Sequence, residues 1–135
     1  MTPALPDILM GQAAALATPL PPESQGDYLA GRVGLLAMLA SLAAQEADRG
    51  PAARVWENRA IAALIASAAS AVHAESPGTS SDFTWRGLDA ENARLRRRLI
   101  EIHEAAETAG DGALQSEILQ LYVDMAAARR LTLGG

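Results

Sequence analysis

Residues 27–74 limit what this chain can become more than any other stretch. No side chain carries a formal charge between Arg32 and Glu46, and none does between Arg59 and Glu75. Helices this apolar on all sides are stable only when other elements cover them. Asp48-Arg49-Gly50-Pro51 separates the two runs. Glycine commonly stops a helix, and proline is pre-set for the first turn of the next. The stretch is therefore expected to be a hairpin over 27–74, reversing at Gly50-Pro51, inside an all-α protein.

The remaining composition narrows the chemistry more than the biology. Of 135 residues, 30 are alanine, the best helix former and a small one, so close-packed helices are expected. The net charge of −5 opposes general nucleic-acid binding, which needs basic charge to displace counterions. All 11 basic residues are arginine. That excludes lysine Schiff bases and a phosphate-loop lysine, and it fits GC-rich, bacterial-like coding. With no cysteine, thiol nucleophiles, disulfides and zinc-thiolate sites are excluded. The first residues lack the positive start of a signal peptide. The longest uncharged runs, 33–45 and 60–74, fall short of the roughly 18 residues a membrane span needs. A cytoplasmic protein with no membrane partner is expected.

Asp7 is expected to cap a short helix ending near Ala17, stopped by Thr18-Pro19-Leu20-Pro21-Pro22. Ser24-Gln25-Gly26-Asp27 reads as the start of the next helix. Leu29, Val33, Leu36, Ala40 and Ala44 form its stripe, broadened by Leu35, Leu39 and Leu42. Past Pro51, Trp56, Ala60, Leu64 and Ser67 line one side, with Ile61 and Ile65 beside them. Ser67 can bond back to its own helix. Residues 75–87 then shift to serine, glycine and threonine, a loop holding Phe83 and Trp85. The second hairpin, 88–131, opens with Asp89 as N-cap. Leu88, Leu95, Leu99, Ile102 and Ala106 form a heptad seam in which Asn92 fills the polar slot. Gly110-Asp111-Gly112 turns the chain into a last helix carrying Leu114, Ile118, Leu121 and Met125. Residues 131–135 are expected to fray.

Three constellations carry chemistry. His103 and Glu107, four apart on one helix face, have metal-ligand spacing. The string His103-Glu104-Ala105-Ala106-Glu107 resembles a zinc metalloprotease motif with glutamate replacing the second histidine, and that motif needs both imidazoles. Neither His73 nor His103 has the glutamate three residues earlier that di-iron bundles use. The arginines of Arg94-Leu95-Arg96-Arg97-Arg98 can grip phosphates, but Glu91, Glu101 and Glu104 stand three or four residues away and can pair with them. The third constellation follows from a turn at Gly50-Pro51, which sets positions summing to about 101 side by side. Tyr28 then neighbours His73, and Arg32 neighbours Ser70, next to the loop bearing Trp85. Tyr28, Arg32, His73 and Trp85 are the candidate ligand-binding residues, with Arg32 as counter-charge to a small anion. Amphipathic side chains with their tips in water account for the same residues.

These readings converge on an antiparallel four-helix bundle of two helical hairpins with a short extra N-terminal helix, a single domain over 1–135. No catalytic set converges, and no cofactor or metal is expected. The expected function is a non-enzymatic interaction or accessory protein. The alternatives are a small anionic-ligand binder at the Tyr28/Arg32/His73 end and a metal-dependent enzyme using His103. The expected partner is a second copy or another helical protein. The Asn92 seam and the apolar face of the last helix are candidates for burial against that copy.

Overall fold

The computed structural model describes residues 4–19, 21–24, 26–70 and 81–132, and of residues 24, 27, 28, 69 and 70 the backbone alone. Every regular element among them is helical, with no strand: α1 (Leu5–Ala17), a 3-10 turn at Pro22–Ser24, α2 (Asp27–Ser70), α3 (Trp85–Ala109) and α4 (Gly112–Ala128). No helix of the described residues is long and apolar enough to cross a membrane. Helix α1 ends at Ala17, as its prolines require. Its N-cap is Ala4, without a side-chain cap. Asp7 sits inside the first turn, where the helix dipole favours its charge.

The expected reversal at Gly50-Pro51 is absent. Helix α2 runs unbroken for 44 residues, with Pro51 inside it. An interior proline removes one hydrogen bond and crowds the carbonyl four residues earlier, at a cost of about 3 kcal/mol. Alanine-rich sequence continues on both sides of Pro51 and favours helix throughout. Beyond Gly50, nothing there supplies the turn residues a helical hairpin needs. The proline still leaves a mark. The chain divides at the Gly50–Pro51 bond into two compact units, and residues from Leu131 onward belong to the first.

In the unit Pro51–Arg130, three segments share one core. Ile61, Ala62 and Ile65 come from α2, Leu95 and Leu99 from α3, and Ile118, Leu121 and Met125 from α4. Ile61, Leu95 and Ile118 are wholly inaccessible. The buried side of α2 is therefore the Ile61 stripe, while Trp56 stays 41% exposed. The α3 and α4 seams bury the positions expected of them. Gly110 ends α3 in the left-handed conformation at φ 68°. Asp111 caps α4, accepting a hydrogen bond from Leu114 N at 3.1 Å. Ser67 bonds back to Leu64 O at 2.8 Å.

The start of α3 departs from expectation. Its N-cap is Thr84, not Asp89, so Trp85 opens the helix. Thr84 Oγ1 accepts from Gly87 N at 3.1 Å and donates to Asp82 Oδ1 at 2.8 Å. Asp82 Oδ1 also accepts from Thr84 N at 2.9 Å. These bonds hold the Asp82 carboxyl below the usual carboxylate range, the backbone N–H contributing most. A Cβ at Gly87 would lie 2.3 Å from that carboxylate. Gly→Ala inside a helix normally gains about 1 kcal/mol. Gly87→Ala should lose that gain, and should recover it once Asp82→Ala removes the obstacle. Urea melts of the four proteins of this cycle test it, and equal effects of Gly87→Ala in both backgrounds would refute the arrangement. Because the folded pKa of Asp82 is depressed, its contribution is present above the unfolded pKa and is lost as pH falls through the folded value.

In the first unit, Ala13 and Ala44 are buried. The end of the described chain is tied down rather than frayed. Gln45 Nε2 donates to Thr132 O at 2.9 Å, and Thr132 N and Oγ1 donate to Gln45 Oε1 at 3.0 and 3.1 Å. The primary amide pairs with the backbone of Thr132 as another peptide group would.

Candidate functional site

Of the four expected ligand-binding residues, two have described side chains, Arg32 and Trp85. His73 and the side chain of Tyr28 lie outside the described residues. Arg32 is an exposed residue of α2, and Trp85 opens α3, 39% exposed. The register that paired Arg32 with Ser70 depended on a turn that α2 does not make. The metal candidates do meet: His103 Nε2 lies 3.7 Å from Glu107 Oε1. The imidazole also tilts against Tyr122, ring centroids 5.8 Å apart. Burial pushes the Tyr122 hydroxyl above its ordinary pKa, and the nearby Arg96 charge partly opposes this. No group of three potential ligands is placed to hold a metal ion among the described residues. Two arginines of the basic string pair as expected, Arg94 with Glu91 at 2.8 Å and Arg98 with Glu101 at 2.7 Å.

Arg96 behaves differently, and it leads to the main polar feature of the unit Pro51–Arg130. Its Nε and Nη2 reach Glu57 Oε1 at 2.9 and 2.8 Å. Glu57 is 1% exposed. Asn92 Nδ2 donates to the same oxygen at 2.8 Å. The other oxygen accepts Arg129 Nε at 2.8 Å and is also bound by Arg129 Nη2. Arg54 Nη1 stands 3.5 Å from it. One buried carboxylate thus holds groups from α2, α3 and the residue closing α4. Asn92 extends the network: its Nδ2 donates to Asn58 Oδ1 at 2.8 Å, and its Oδ1 accepts from Arg54 Nη1 at 3.1 Å. Asn58 in turn donates to Leu88 O at 3.1 Å. Asn92 is therefore satisfied by groups of its own unit. Asp89, expected as a cap, instead pairs with Arg54 at 2.8 Å.

This network is absent from the sequence reading because the expected turn at Gly50-Pro51 separates Arg54 and Glu57 from a helical core face. A signal was present. Glu57 stands four residues before Ile61 and eight before Ile65, so it shares their face.

Beside the network is a groove in the same unit. Two adjoining hollows, of about 230 and 360 Å³, share Val55, Arg59, Phe83 and Leu88 as walls. Asn58 and Glu91 also line the smaller, and Trp56 the larger.

In the first unit the notable surface is apolar. Along the first half of α2, Leu29, Leu35, Leu36 and Leu39 are 47%, 52%, 51% and 50% exposed. Met38 is likewise exposed. A Cβ added at Gly31 or Gly34 would meet nothing within 4 Å. Soluble chains rarely leave so many large apolar side chains contiguous and bare.

No known protein family matches the chain, and no curated protein or solved structure matches it.

Proposed function

We propose that this protein is a non-enzymatic helical interaction protein that pairs with a second copy of itself through the first half of α2. The observation that carries the reading is the row of half-exposed leucines at 29, 35, 36 and 39, on a segment without charge from Val33 to Gln45. Any partner burying that row must itself be uncharged, because an ion left against an apolar wall is costly. A second copy meets this condition, since a two-fold interface sets the same patch against itself.

Sedimentation equilibrium tests the reading. The native chain should be dimeric at about 50 µM, with a melting temperature that rises with concentration. Leu35→Glu with Leu39→Glu should weaken pairing at least 100-fold, or about 2.7 kcal/mol, while helical circular dichroism is retained. A native chain that remains monomeric at about 100 µM, with concentration-independent melting, would end the proposal.

A further inference from the structure

The groove beside the Glu57 network has the make-up of a small-ligand site: the larger hollow is mostly apolar and holds two aromatic rings, and the smaller adds Asn58, Ser81 and Glu91 as polar groups. The larger hollow, about 360 Å³, lies at the small end of the range for such sites, and the smaller, about 230 Å³, adjoins it. The polar groups along it differ in what they have left to offer. Asn58 donates to Leu88 O and accepts from Asn92. Glu91 is held by Arg94. Arg59 lines both hollows and makes neither an ion pair nor a hydrogen bond among the described residues.

A guanidinium with unused donors beside an apolar wall recognises a planar anion through two parallel N–H···O bonds. The geometry points to a small apolar monocarboxylate as the ligand, with its head on Arg59 and an aryl or branched alkyl body against Val55, Phe83 and Trp56. One cation matches one negative charge. The Glu91 carboxylate disfavours a polyanion such as a nucleotide. A cationic ligand would meet Arg59 and find Glu91 already engaged. The small anion anticipated from the sequence therefore has a candidate home around Arg59 rather than Arg32.

The test uses 4-phenylbutyrate and its neutral counterpart 4-phenylbutyramide, titrated into the full-length ¹⁵N-labelled protein at neutral pH. The Trp56 indole and Arg59 Nε–H resonances should move saturably with the acid, with Kd of about 0.1–1 mM, and the amide should bind about tenfold more weakly or worse. Arg59→Gln should abolish the preference for the acid without changing the melting temperature, because that side chain makes no hydrogen bond or ion pair among the described residues. Arg97→Gln, an exposed residue of α3, should leave both affinities as they were. Equal binding of acid and amide by the native protein would overturn the proposal. So would no saturable shift up to about 5 mM, or acid-induced shifts confined to Arg54, Arg96 and Arg129.

Discussion

Glu57→Ala should destabilise the protein by about 3–5 kcal/mol, the range found when one partner of a buried ion pair is removed. The carboxylate is 1% exposed and accepts from Asn92, Arg96 and Arg129, with Arg54 close by. The heads of Arg96 and Arg129 are 43% and 38% exposed and can turn to water. Arg54 and Asn92 have less freedom. Arg54 is 18% exposed with its Nε already buried and unpartnered, and Asn92 is 6% exposed. The loss therefore comes mainly from those two groups and from the space the side chain vacates. Glu57→Gln keeps the volume and one acceptor, so it should cost less than Glu57→Ala. Urea denaturation of both variants measures the effect. A loss below about 1 kcal/mol for Glu57→Ala would show the network to be a surface decoration, because exposed ion pairs contribute no more than that.

Pro51→Ala has the opposite sign. Within an unbroken α2 it restores one backbone hydrogen bond and removes the ring's clash with the preceding turn, together worth about 3 kcal/mol. The unfolded chain becomes freer, which subtracts up to about 1 kcal/mol. The net expectation is stabilisation by about 2 kcal/mol. The same substitution at a tight turn would remove a residue pre-set for that turn and would destabilise. The sign of the change in urea midpoint thus distinguishes one long helix from two helices folded back on each other. A destabilised Pro51→Ala protein would be evidence against the continuous helix.

This contrast explains what the sequence could and could not convey. The seams and the α3–α4 turn are local, and they were legible. Leu95, Leu99, Ile118, Leu121 and Met125 are buried as their spacing requires, and the Gly110-Asp111 turn forms where its residues are best suited. Gly50-Pro51 is ambiguous for a physical reason. An interior proline disfavours helix, while the alanine-rich segments on both sides favour it. The pair therefore marks the boundary between compact units without fixing the path of the chain. Thr84 displaced Asp89 as the cap because Asp82 can brace it, a relation among three residues that a single capping pattern does not contain. The polar network was the least legible feature. Glu57, Asn92 and Arg129 lie 35 to 72 residues apart, and nothing in their spacing announces that they converge.

The bonds of Glu57 to Arg129 and of Gln45 to Thr132 also bear on the order in which the chain assembles. The first joins residues 72 apart and the second residues 87 apart. The unit Pro51–Arg130 is one continuous stretch, whereas the first unit needs residues from both ends of the chain. Closing a long flexible loop carries an entropic cost that grows with its length. Once Arg129 is seated on Glu57, most of the loop between Gln45 and Thr132 is already ordered, and the remaining free chain is short. The inner stretch is thus suited to form early and the outer pairing to follow at little further cost. In a chain emerging from synthesis, Gln45 would wait until Thr132, 87 residues later, had been made before this contact could form.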